Sequence, residues 1–505
     1  MRHALLAACL LVLVGCHYPQ PVSTQVVDST LRKTEAAGIL NPENPGTPTP
    51  QPLPTVGVTG VTPPPSPLVL VDGHLLYTIQ QGDTLPAVAK RFGIDQDDIL
   101  ADIPLSPVGL LPVGLQVQLP DILEDVLPYA EPILPDVEVI YGPSVGDFNA
   151  ADYARDAGGF LAEYSELVRG EMMTGPEIVQ RVAIDSSTNP RLLLAFLEYR
   201  SGWVFGHPPD AEDDRYPIGF VAADWGLYNE LMISAKLLAQ GFYGWREGSY
   251  LTLNFYGGGH GRLSPGLNAG STALMALFAA LHDQVAWEEA LFGEESFLSF
   301  YQALFGNPWS RAATVEPYLL STDSQPELVL PFAPGEAWSL TGGPHVTWQT
   351  GTPRGALDFA PITGEPACAI SIRWVTAVTP GLVTRATRSV VALDLDGDGD
   401  EGTGWVLVYM HIAEQDRIPF GTWVDVDTPI GHPSCEGGQS TGTHVHLTRK
   451  FNGEWLGVEE PFPLVLSGWR AYAGAARYEG YLQKGDQIVT SRPNGASGST
   501  IIRED

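Results

Sequence analysis

The stretch Cys435-Glu436-Gly437-Gly438-Gln439-Ser440-Thr441-Gly442-Thr443-His444-Val445-His446-Leu447 decides how the last third of this chain is read. Its end alternates polar and apolar residues with the period of a strand. On a strand, residues i and i+2 share a face, so the imidazoles of His444 and His446 point into one groove. There one ring can bind a metal while the other stands beside the open coordination position. The Gly-rich half is a loop that lets backbone approach a partner closely. Three further words carry side chains of the same kind: Gly342-Gly343-Pro344-His345, Asp358 within Ala356-Leu357-Asp358-Phe359-Ala360-Pro361, and Tyr409-Met410-His411. Short β-rich runs at 373–378, 382–386, 389–395, 405–411, 423–426 and 444–451, broken by Gly, Pro and Asp, predict an antiparallel sheet domain.

These words together, GGPH with Asp358 thirteen residues after His345, YMH, and CEGGQSTGTHVHL, resemble the beta-lytic and staphylolysin branch of the lysostaphin-type zinc endopeptidases. The resemblance implies an enzyme that cuts peptide cross-bridges in bacterial peptidoglycan, with its peptidase domain over residues 331–465. Carried over residue by residue, it implies His345, Asp358 and His446 as ligands of one Zn²⁺. It implies His444 and His411 as the two non-ligand catalytic histidines. In the commoner branch the first ligand lies four residues before the Asp, where this chain has Arg354; only the longer spacing fills all five positions. Two imidazoles and one carboxylate suit zinc rather than calcium and leave one position open. His444 is expected to act as general base, and His411 to hydrogen-bond the tetrahedral oxyanion or the attacking water. His432, His260 and His207 fit no position in the pattern and are expected to be ordinary histidines.

At the other end, Arg2 and His3 precede an apolar run from Ala4 to Val14, too short to span a bilayer as a mature helix but suited to a secretory signal. The run ends in Leu13-Val14-Gly15-Cys16, which resembles the lipobox of bacterial lipoproteins. Residues 1–16 are therefore expected to be a signal cut before Cys16, whose acylated thiol would be the only membrane attachment. The expected location is the outer face of a bacterial membrane, in the cell envelope. With Cys9 removed and Cys16 acylated, Cys368 and Cys435 remain as one candidate disulfide, permissible after export. Residues 17–74 read as a tether, because ten prolines lie between Pro42 and Pro67 and favour extended polyproline II.

Residues 75–120 contain YTIQQGDTLPAVAKRFGI and PVGLQVQLP, which resemble a LysM domain, a small βααβ fold that binds N-acetylglucosamine-containing glycans. Residues 121–146, with four prolines, read as a connector. From 147 to 325 the periodicity is helical and predicts a mainly α domain. Within it NPRLLLAFLEYRSGWV resembles the helix of lysozyme-like folds, in which a Glu directly before Ser-Gly is the general acid. Arg200 takes that place here, and a guanidinium cannot protonate a glycosidic oxygen. Glu198, two residues earlier, lies about 200° around the helix. The domain is thus expected to be degenerate and non-catalytic. Residues 466–505 read as a C-terminal extension.

The acidic word Asp394-Leu395-Asp396-Gly397-Asp398-Gly399-Asp400-Glu401 lies between two apolar runs and predicts a hairpin turn. Asp394, Asp396, Asp398 and Asp400 also imitate a calcium loop, although Trp405 stands where such loops carry a bidentate Glu. In the whole chain of 505 residues, 59 acidic side chains oppose 27 basic ones, a formal charge of −32, which argues against nucleic acid or an anionic membrane surface as the main partner. The partners expected are peptidoglycan glycan at the LysM module and stem or bridge peptide at the metal site. The alternative is a non-catalytic wall-binding or regulatory lipoprotein with an inert peptidase fold. The complete His/Asp set speaks for the enzyme.

Overall fold

The computed structural model describes residues 25–26, 66–71, 74–122, 125–207, 215–221, 225–348, 352–496 and 498–504. Cys16, the signal segment and most of the tether lie outside them. Among the described residues, no helix is long and apolar enough to cross a membrane.

The first module pairs β1 (Leu68–Val71) with β2 (His74–Thr78), and β2 with β3 (Gln116–Pro120), all antiparallel. Strand β1 falls in the span read as tether. Its four apolar residues follow directly on Pro67, and with no proline among them every residue can donate to the ladder. The first helix, α1 (Leu85–Phe92), is capped by Thr84, whose side chain accepts from Ala87 N, and ends at Gly93 with φ 69°. The second expected helix is only a 3-10 turn, Gln96–Asp98. Asp83 holds the turn before α1: it accepts from Tyr77 Oη at 2.7 Å and Gln80 N at 2.9 Å and pairs with buried Arg91.

The middle body packs α2 (Ala150–Ala157), a hairpin of β4 (Ser165–Val168) and β5 (Glu171–Thr174), α3 (Gly175–Ser186), α4 (Pro190–Ser201), α5 (Leu227–Arg246), α6 (Ala269–Ala279), α7 (Gln284–Phe292) and α8 (Phe297–Phe305). The supposed connector belongs to this body. Leu134, Val137, Val139 and Ile140 are buried in its core, while Asp136 pairs with Arg246 at 3.0 Å and Glu138 with Arg311 at 2.5 Å. Prolines punctuate the segment, but every residue from 134 to 140 is buried, and that burial outweighs the turn signal.

The C-terminal body is built on β6 (Ala337–Val346), β7 (Arg354–Pro361), β8 (Gly381–Thr387), β9 (Val390–Asp394), β10 (Trp405–Met410), β11 (Trp423–Val424), β12 (Val445–Phe451) and β13 (Glu454–Trp455). Then follow β14 (Val465–Leu466), β15 (Trp469–Ala473), β16 (Gly480–Lys484), β17 (Gln487–Thr490) and β18 (Thr500–Ile502). The large sheet runs β11-β8-β9-β10-β12-β7-β6-β18, with β13 on β12; β14 to β17 form a second sheet. The supposed extension is therefore integral. Its strand β18 closes the edge of β6, pairing Trp338 with Ile501, and Leu466, Trp469, Leu482 and Val489 enter the same core as Leu407 and Leu447.

The period of two decides which core each residue joins. On β9 and β10, Val391, Leu393, Leu407 and Tyr409 point into that C-terminal core. Their neighbours Val390, Ala392, Val406 and Val408 join the core of the helical body. Both faces of the hairpin are thus buried. Charged ties reinforce the joint: Arg246 meets Glu454 at 2.6 Å, and Arg385 bridges Asp185 at 2.5 Å and Glu401 at 2.9 Å. Leu407→Ala should lower the unfolding free energy by about 2–5 kcal/mol. Val408→Asp, which places a charge in the other core, should cost at least as much. Urea and thermal unfolding of the full chain measure both; a Val408→Asp variant as stable as wild type would show that the second face is not a core.

Candidate metal centre

Three strands bring the ligand-type residues together. Asp358 on β7 stands opposite His446 on β12 and opposite Gly342 on β6 in the ladder, and His345 lies at the end of β6 opposite Ala356. His345 Nε2 is 3.2 Å and His446 Nδ1 is 3.3 Å from Asp358 Oδ1, and the two ring nitrogens are 3.0 Å apart. Asp358 Oδ1 is buried and has no hydrogen-bond donor. All three side chains are buried.

The opposite nitrogen of each ring is held by a backbone carbonyl. His345 Nδ1 meets Gly343 O at 2.8 Å, and His446 Nε2 meets Thr347 O at 3.0 Å. A carbonyl only accepts, so each held nitrogen carries the proton and the other presents a lone pair toward Asp358. His411 and His444 follow the same rule, with Nδ1 on Glu436 O at 2.9 Å and on Gly442 O at 2.7 Å. His444 Nε2 is 3.7 Å from Asp358 Oδ1, and its side chain, 15% exposed, is the most open of the five. The rings of His411 and His444 are 4.5 Å apart. His411 directly follows β10 with φ 64°.

Burial alone would raise the Asp358 carboxyl, but the adjoining His345 and His446 rings hold it well below the usual carboxylate range. For His345, burial opposes protonation and Asp358 more than offsets it, so its pKa rises. Burial pushes His446 down. Burial and then the His444 ring push His411 down to about 4.

The glycines of GGPH have steric reasons. A Cβ on Gly342 would stand 2.3 Å from Asp358 Oδ2, and one on Gly343 would stand 2.8 Å from the backbone of Glu479 and Gly480. The C-terminal segment thus forms a wall of the site, and Tyr478 stacks on the His345 ring with centroids 4.3 Å apart. Sequence reasoning missed Tyr478, whose segment carries no motif. Arg354, four residues before Asp358, donates from Nη1 to Gly474 O at 2.7 Å. His432 lies outside the cluster, donating from Nδ1 to Arg373 O at 2.9 Å beside Trp374.

The loop leading to His444 is clamped at its start. Cys368 and Cys435 form a disulfide, and Thr443 Oγ1 donates to Ala369 O at 2.6 Å. Beyond His411 opens a cleft of about 260 Å³ whose walls include Arg169 and Glu171 of the helical body's β4–β5 hairpin, with Arg388, Gly437 and Gly438 opposite. Within the helical body Glu198 Oε2 accepts from Val204 N at 2.7 Å and Phe205 N at 3.1 Å, and Arg200 Nε donates to Ile218 O at 2.8 Å.

Comparison with known proteins agrees with this division. A family profile described as LysM domain matches residues 77–119, and one described as LasA, N-terminal domain matches residues 132–318, the segment read from sequence as degenerate lysozyme-like. Protease LasA of Pseudomonas aeruginosa is 25% identical over 356 residues, covering 65% of this chain and 78% of the relative. The beta-lytic metalloendopeptidase of Achromobacter lyticus is 29% identical over 160 residues, 30% of this chain and 40% of the relative. Among solved structures, the M23 metalloprotease pseudoalterin is 24% identical with a TM-score of 0.29, over 33% of this chain and 96% of that one. The lysostaphin catalytic domain from Staphylococcus simulans is 20% identical with a TM-score of 0.18, over 24% of this chain and 87% of that one. The chain is a LysM-containing homologue of LasA and the beta-lytic metalloendopeptidases.

Proposed function

We propose that the protein is a zinc endopeptidase that cuts peptide cross-links of bacterial peptidoglycan, with the LysM module binding the glycan. The observation that carries this reading is the triad of His345 Nε2, His446 Nδ1 and Asp358 Oδ1, mutually 3.0–3.3 Å apart. Ligands about 2.0–2.2 Å from a tetrahedral zinc stand roughly 3.3–3.5 Å from one another, so the donor atoms fit with small adjustments. The unpartnered Asp358 Oδ1 gains a partner when the ion binds.

When bound, the ion supplies a Lewis acid for the scissile carbonyl. The chain's own residues do the rest. His444 and His411 both spend Nδ1–H on carbonyls, so each presents Nε2 as an acceptor to an attacking water. His444, nearer Asp358 and more exposed, takes the proton and returns it to the leaving amine. His411, with its pKa near 4, is neutral at physiological pH and orients the water; it donates to the developing oxyanion only after gaining a proton. Glu198 is engaged by two backbone amides and Arg200 by the Ile218 carbonyl, which supports a non-catalytic helical body. The disulfide fits an exported protein, and the lipid anchor at Cys16 belongs to the same reading.

Zymography on purified peptidoglycan with zinc analysis tests the assignment. His446→Ala should lose both zinc and activity. His444→Ala should keep zinc and lose about 10²–10⁴ in rate. Cleavage persisting in both variants would overturn it. A separate expectation concerns Gly342→Ala. Its added methyl displaces the Asp358 carboxylate, so zinc affinity should fall about 10–100-fold in competition with a chelating indicator, while thermal unfolding of the zinc-free protein changes little.

A further inference from the structure

The loop between β9 and β10 is the other place where carboxylates converge. Oxygens of Asp394, Asp396 and Asp398 lie within 4.8 Å of one another. Acidic loops are common, and hydrogen bonds within this one explain part of its shape: Asp398 N donates to Asp396 Oδ1 at 3.3 Å, and Asp400 N to Asp398 Oδ1 at 2.8 Å. Asp394 is different. Its side chain is fully buried at the end of β9 with a carboxylate oxygen in the cluster, Oδ2 accepts from Gly399 N at 2.9 Å, and Oδ1 has no donor. A buried carboxylate oxygen without a partner is costly.

Among the described residues, no base forms an ion pair with these three aspartates. Arg385 and Lys450, at this end of the sheet, are both taken up by Glu401, at 2.9 and 3.0 Å. The cluster is therefore a set of converging negative charges lacking a counter-ion.

We propose that Asp394, Asp396 and Asp398 hold a calcium ion in the β9–β10 loop, a site separate from the histidine triad. An all-oxygen set selects a hard cation, unlike the His₂Asp triad. Gly397 and Gly399, at φ 76° and 87°, let the backbone wrap around the ion so that carbonyls and water complete six to eight ligands. Asp400 is outside the triad, its Oδ1 accepting from Gly402 N at 2.8 Å. Because Trp405 stands where a bidentate Glu would raise affinity, binding belongs in the range of extracellular modules, with Kd about 10⁻⁴–10⁻³ M. The ion would fix the far end of the hairpin whose other end carries His411. It would also brace the joint with the helical body, where Gly402 approaches Tyr141 and Gly142.

Terbium luminescence on the zinc-loaded full chain tests the site. The Trp423 ring lies 2.9 Å from where a Cβ on Gly397 would be, close enough to sensitise a lanthanide in the loop. Saturable emission should appear, be displaced by Ca²⁺ but not by equal Mg²⁺, and be accompanied by a Tm that rises with Ca²⁺. Asp394→Asn and the exposed Asp398→Asn should each weaken Ca²⁺ about tenfold or more. His446→Ala should leave Ca²⁺ binding unchanged, which separates this site from the zinc reading. No displacement by Ca²⁺ up to about 10 mM would overturn the proposal. So would wild-type Ca²⁺ affinity in the folded Asp398→Asn variant.

Discussion

Asp358 and His446 face each other across two hydrogen-bonded strands, and the site depends on that pairing holding its register. A slip of one residue would send His446 into the apolar core and bring Leu447 to the groove, because side chains alternate between faces. The register is set by what lies on either side of each functional residue. Leu357, Phe359, Val445 and Leu447 are buried in one core, so Asp358 and His446 are left on the other face. The polar geometry of the site is therefore a by-product of apolar packing, and the carbonyls of Gly343, Thr347, Glu436 and Gly442 then fix which nitrogen of each imidazole is available.

That functional face is shared. Along β9 and β10 it is covered by the helical body through Val390, Ala392, Val406 and Val408. Toward the ends of β6, β7 and β12 it carries the triad. The helical body thus meets the same surface as the metal centre, and its β4–β5 hairpin lines the cleft next to His411. The disulfide and the Thr443–Ala369 hydrogen bond hold the opposite lip.

Much of this was legible in the residues. The HxH word, the strand carboxylate and the hairpin around the acidic loop follow from a period of two and from turn chemistry, which are local signals. Strands β8, β9, β10 and β12 lie within a few residues of the runs that predicted them. What sequence reasoning missed was decided by distant partners. Residues 134–140 look like linker because of their prolines, yet they are buried against helices far along the chain. Leu68-Val69-Leu70-Val71 becomes a strand because β2 offers it an edge. The segment after 466 has no motif, but its backbone occupies the space that Gly343 leaves free. A glycine signals that something comes close, without saying what.

The position of that last segment has a temporal consequence. His345 is the first of the candidate ligands to be synthesised, yet its ring rests on Tyr478 and its strand is closed at the edge by Thr500–Ile502. A chain that emerges from its N-terminus presents His345 long before those partners exist. Assembly of the centre therefore waits for Tyr478 and Thr500–Ile502 to arrive. A centre built in this order gains the support of its first strand only after residues 478–502 have been made.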